Sequence, residues 1–229
     1  MERYHQPPPV NINMNILILG CSFGVPDNGC PAQFHTENQL KILGHTVYNC
    51  AKQGASNLES LAIAREFCKN TNCRIDWIVW FHTELVRDYF YLHSELQGTG
   101  TFYLQDIIKI VYGRYSQFIN ELQAKIAVIG GAGPVHPLLY NFIEPDYCIS
   151  SWFSKILDLD LPQVQTLSRL DYIELLQSIG INKKIQILQQ HKEILDALER
   201  SDDFPDNYHP GIKPHIDLAN ELDKVFLQS

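Results

Sequence analysis

Short apolar runs alternate along the chain with longer stretches whose apolar residues recur at helical spacing. Asn15–Leu19 is apolar without a break from Ile16 onward, the pattern of a central parallel strand covered on both faces. His45–Asn49 predicts a second strand and Asp76–Phe81, rich in aromatic and β-branched residues, a third. Lys125–Ile129 predicts a fourth, and Tyr147–Ile149 a short fifth. Pro31–Leu43, between the first two strands, is partly helical. Ser56 or Asn57 then caps an amphipathic helix carrying Leu58, Leu61, Ala64 and Phe67. A long helix over Tyr103–Ala124 places Ile107, Ile108, Val111, Tyr115, Phe118 and Leu122 on one face. Residues 152–200 read as mainly helical, and a last helix covers Pro210–Phe226.

This order predicts an α/β protein: a three-layer α/β/α sandwich around a central, mainly parallel sheet. One domain over residues 14–229 is expected, with a mainly helical insertion at about 150–200 and a flexible arm over residues 1–13, which contain Pro7-Pro8-Pro9. Sites in such sheets lie at the carboxyl ends of strands. Four polar or glycine-rich segments fall there: Gly20-Cys21-Ser22, Asn49 to Asn57, Phe81 to Glu84, and Gly130 to Pro134.

Charge narrows the field of partners. The net charge is −8 with no dense Lys/Arg cluster, which argues against nucleic-acid binding. The six cysteines form no C-x-x-C; Cys68 and Cys73 lack the companions of a zinc site, so free thiols in a reducing compartment are expected. No apolar stretch is long enough to span a membrane, and the run before Cys21 is too short for a signal peptide. A cytoplasmic location, no cofactor and no metal are therefore the expectation; the oligomeric state stays open.

Gly20-Cys21-Ser22 ends the first strand, and Asp206-Asn207-Tyr208-His209-Pro210 stands near the C-terminus. If they meet, Ser22 gains a base and the imidazole gains a group to hold its tautomer. With Asn49-Cys50-Ala51-Lys52-Gln53-Gly54 between them, and Pro214-His215-Ile216-Asp217-Leu218-Ala219 after them, the chain resembles the SGNH (GDSL-like) hydrolase superfamily from Asn15 to its end. In that family the first block reads Gly-Asp-Ser, the second carries an Asn five residues before an oxyanion-hole Gly, and the last is Asp-x-x-His-Pro. The third block departs: the family has Gly-x-Asn-Asp, whereas this chain has Phe81-His82-Thr83-Glu84.

The resemblance implies a flavodoxin-like fold and a serine esterase or deacylase acting on a small-molecule or carbohydrate ester, with O-deacetylation as one form. Ser22 would be the nucleophile, His209 the base and Asp206 its orienting group. The N–H groups of Ser22 and Gly54 would hold the oxyanion, with Thr83 or His82 in place of the family's Asn. Asn57, His82, Glu84 and Gly131 are candidate substrate contacts, and Arg87 and His136 weaker ones. Cys21, intrinsically the stronger nucleophile, is the rival to Ser22, although strand alternation favours Ser22. Gly130-Gly131-Ala132-Gly133 lacks the Lys-Ser/Thr of a P-loop, which leaves a tight turn beside the cleft as its reading and weakens a nucleotide-binding alternative. A non-catalytic glycan- or partner-binding module with a degenerate third block is the alternative from another class.

Overall fold

Five parallel strands form one sheet in the order β2-β1-β3-β4-β5 in a computed structural model that describes residues 13–26, 30–95, 103–131, 135–156, 203 and 209–228. They are β1 (Asn15–Gly20), β2 (Thr46–Asn49), β3 (Trp77–His82), β4 (Lys125–Gly130) and β5 (Tyr147–Ile149). The helices are α1 (Thr36–Ile42), α2 (Asn57–Asn70), α3 (Leu85–Glu95), α4 (Leu104–Leu122), α5 (Trp152–Ile156) and α6 (Ile212–Gln228). Residues 1–12 of the expected arm and most of the expected helical insertion, residues 157–200, lie outside the described residues.

Strand alternation sorts the core into two layers. Ile16 and Ile18 of β1 and Trp77, Val79 and Phe81 of β3 pack with Leu40 of α1 and with Leu218, Ala219, Leu222 and Phe226 of α6. Leu17 and Leu19 of β1 and Ile78 and Trp80 of β3 face the other way, onto α2, α3 and α4. Successive residues of a strand point to opposite faces, so an uninterrupted apolar run is what a sheet covered on both sides requires. The chain is a three-layer α/β/α sandwich. Trp80 anchors one layer by stacking on Tyr115 of α4, with ring centroids 3.7 Å apart and planes 11° from parallel.

The sequence expectations for the five strands hold within a residue at their ends. Helix α3 is the element they missed. Its stretch Tyr89-Phe90-Tyr91 has strand-like propensity, and its buried stripe of Leu85, Asp88 and Leu92 is broken by an acid. The strand order places a topological switch between β1 and β3, where the chain first leaves β1 for β2 and then returns to the opposite side. A crevice is expected at the carboxyl ends of these two strands.

Candidate active site

Three segments border that crevice. Gly20 and Phe81 are paired across β1 and β3, so the residues just beyond them, Ser22 and Thr83, leave the sheet at the same level. Gly20 has φ +133°, and a Cβ there would stand 2.3 Å from the Phe81 carbonyl oxygen; only glycine fits this close approach. Its N–H donates to Ser60 Oγ of α2 at 2.6 Å. Ser22 then opens a 3₁₀ turn, Ser22–Gly24, in which the Val25 N–H returns to the Ser22 carbonyl. Cys21 is fully buried, which suits packing better than chemistry.

The second segment is strapped onto the first. The Lys52 N–H donates to the Gly20 carbonyl at 3.1 Å, and Ala55 N–H closes a tight turn on the Lys52 carbonyl. Gly54 sits in this turn with φ +73°, exposed, and a Cβ there would meet open space. Among the described residues its N–H has no acceptor. Asn49 holds both sides: its Nδ2 donates to the Gly24 carbonyl at 2.7 Å and to Glu37, while its Oδ1 accepts from Ala51 N–H.

The third segment is held by Asn57. The Asn57 carboxamide accepts from the Thr83 N–H and donates to the Thr83 carbonyl, both at 3.0 Å, as a neighbouring strand would. Trp80 Nε1–H donates to the same Asn57 oxygen at 3.1 Å. Asn57 Nδ2 also reaches Asp88 of α3 at 2.7 Å. Asn57 is fully buried and occupied by these bonds, so the expected substrate contact is instead a support for the Thr83 loop. Thr83 is 4% exposed, and its hydroxyl forms no hydrogen bond among the described residues. His82 is turned the other way, its Nε2 3.2 Å from the Tyr112 hydroxyl of α4. Burial and then His136 hold its imidazole neutral, with a pKa pushed down to about 3. A buried neutral ring engaged by Tyr112 fits a structural role better than the substrate contact or oxyanion donor expected of it. Glu84 is exposed, and Arg87 and His136 are half-buried.

His209 approaches from the far end of the chain. Its ring stands edge-on to Phe23, the residue after Ser22, with centroids 5.9 Å apart. Two further histidines lock this neighbourhood, and sequence reasoning assigned neither a role. His35 accepts the Glu37 N–H on Nδ1, which leaves the proton on Nε2 to donate to the Phe23 carbonyl at 3.2 Å. His215 of α6 lies against His35, ring centroids 4.3 Å apart, and meets the Thr36 hydroxyl at 2.8 Å through Nδ1. Burial, then His35 and His209, push the His215 pKa down to about 2. The pair thus fastens the start of α6, just after His209, to the turn that carries Ser22. Their signal in the sequence was only that His35 precedes a helix and His215 follows the Asp-x-x-His-Pro segment. Asp206 lies outside the described residues.

Gly131 closes the fourth side. A Cβ there would lie 2.5 Å from the Phe23 ring, and at Gly130 it would lie 1.8 Å from the Ser150 carbonyl oxygen. Close packing accounts for both glycines, in keeping with the expected tight turn; residues 132–134 lie outside the described residues. Among the described residues no group of three or more His, Cys, Asp or Glu is placed to hold a metal ion, and no helix is long and apolar enough to cross a membrane.

The α/β/α sandwich is a fold that a solved esterase shares. The psychrotrophic esterase EstA from Pseudoalteromonas sp., in a structure inhibited by monoethylphosphonate, is similar with a TM-score of 0.51. The likeness covers 94% of this chain and 98% of EstA at 11% sequence identity, a level at which it speaks for the fold. No protein-family model and no curated protein matches the sequence.

Proposed function

We propose that this protein is a serine ester hydrolase of the SGNH type, with Ser22 as nucleophile, His209 as general base and Asp206 as the group that orients the imidazole. The observation that carries this reading is the placement of the His209 ring beside Phe23, next to Ser22, at the switch point of a fold shared with an esterase. Ser22 attacks the ester carbonyl as His209 takes its proton; the same imidazolium then protonates the departing alcohol. The N–H groups of Ser22 and Gly54 and the hydroxyl of Thr83 hold the negative charge on the carbonyl oxygen. Water, deprotonated by His209, releases the acyl group and regenerates Ser22.

The substrate class we favour is a small-molecule or carbohydrate ester with a short acyl group such as acetyl, in a cytoplasmic setting. Labelling by a fluorophosphonate probe, p-nitrophenyl acetate turnover, and loss of both in Ser22→Ala are the expected results. A wild-type protein that takes no label and turns over no ester of any acyl length, yet binds glycans, would instead be a non-catalytic module.

A further inference from the structure

Beneath the candidate site lies a buried polar chain that the reaction itself does not use. Asp88 is fully buried on α3. Its carboxylate accepts the Leu58 N–H at 2.8 Å and the Asn57 Nδ2–H at 2.7 Å, and Ser56 and the Asn57 N–H also contribute. It therefore caps the N-terminus of α2 from a neighbouring helix, a place where the helix dipole favours an acid. From Asp88 the chain continues through the Asn57 side chain to both backbone polar groups of Thr83. Tyr115 of α4 fixes Asn57 from behind by donating to its carbonyl at 2.9 Å. A cap needs only the first of these links. The second ties the cap to one residue at the mouth of β3, and that residue carries a buried hydroxyl with no partner among the described residues.

We propose that Asn57 and Asp88 are positioning residues that fix the Thr83 backbone so that its hydroxyl serves as the third oxyanion donor. This rests on the ester-hydrolase reading above and extends it to residues that touch no substrate. Preorganisation is what such a support supplies. A threonine is shorter than the asparagine it stands for and has a single donor. Its bond to a developing oxyanion therefore depends on where the backbone holds it, and a donor misplaced by about 1 Å loses much of its effect. Asn57 satisfies the Thr83 N–H and carbonyl together, leaving the hydroxyl as the group free to bond elsewhere.

A double-mutant cycle between Asn57→Ala and Thr83→Val tests this, read by kcat and KM on p-nitrophenyl acetate, with fluorophosphonate labelling of Ser22 measured in each protein. Thr83→Val is expected to lower kcat by about 10²-fold with KM within about threefold of wild type. Asn57→Ala should lower kcat about 10-fold or more, and the double variant should be no worse than Thr83→Val alone within about threefold, because both remove one interaction. Asp88→Asn, which keeps an acceptor for the helix, should fall on kcat in the same direction and also be masked by Thr83→Val. It carries the test if Asn57→Ala does not fold. Multiplicative losses, or wild-type kcat in a folded Asn57→Ala or Asp88→Asn, overturn the positioning role while labelling of Ser22 stands. A wild-type protein that neither labels nor turns over ester overturns the hydrolase reading, and the positioning role with it.

Discussion

Acidification from about pH 6 to pH 5 should weaken this fold along a slope set in part by three buried groups, two of which oppose the third. His82 and His215 are held neutral by burial, with pKa values pushed down to about 3 and about 2. In the unfolded chain imidazoles bind protons near pH 6.5, so below that point the unfolded state holds two protons that the folded state refuses. Their contribution to stability is therefore present above about pH 6.5 and lost as the pH falls. Asp88 has the opposite sign. Burial pushes its carboxyl up to about 7, against the hydrogen bonds from Leu58, Asn57 and Ser56 that favour the charge. In this window the folded protein keeps a proton that the unfolded chain has released, so Asp88 stabilises more as the pH falls. The balance is one net proton on the unfolded side, worth about 1.4 kcal/mol per pH unit. The histidines win. Urea unfolding at stepped pH, followed by the fluorescence of the buried Trp77, Trp80 and Trp152, measures it. His82→Phe should flatten the stability–pH slope by about 1.4 kcal/mol per pH unit, and Asp88→Asn should steepen it by a similar amount. Groups common to all three proteins cancel in these differences. Slopes for both variants that match the wild type would show that neither His82 nor Asp88 exchanges a proton on unfolding in this range.

Two predictions concern the junction of β1 with its neighbours. Gly20→Ala forces a Cβ to within 2.3 Å of the Phe81 carbonyl oxygen at φ +133°, and is expected to cost more than about 3 kcal/mol, seen as a lower urea midpoint or loss of soluble protein. Ser60→Ala removes the acceptor of the buried Gly20 N–H and should cost about 1–3 kcal/mol by the same assay; wild-type stability would mean that another acceptor reaches this group.

The strands were legible because each is buried on both faces, so their apolar runs stood clear of the polar loops. The start of α2 was legible to within one residue, as Ser56 or Asn57; the structure selects Ser56, whose side chain accepts the Glu59 N–H through local geometry that any Ser-x-x-Glu can form. Helix α3 was not, because its inner face carries Asp88, whose partners Asn57 and Leu58 are 31 and 30 residues away and become adjacent only once α2 and α3 pack. The site followed the same division. Ser22, Gly54 and Thr83 follow strand ends and could be placed by counting strands. The roles of Asn57, His35 and His215 depend on long-range bonds, and a buried asparagine and an exposed one look alike in sequence. Thr83 stood out as a departure from a family pattern, but nothing local announced that its backbone is gripped from α2.

Helix α6 comes last of the described elements, and it supplies Leu218, Ala219, Leu222 and Phe226 to a layer whose strands lie much earlier in the chain. During synthesis, Trp77, Val79 and Phe81 emerge long before the helix that will cover them. Until it docks, one face of the sheet is an apolar surface open to other chains. The same docking brings His209 beside Phe23. Burial of the sheet and assembly of the candidate site thus coincide in one event: a chain whose α6 has not docked exposes an apolar sheet face and also lacks the contact that sets His209 beside Phe23.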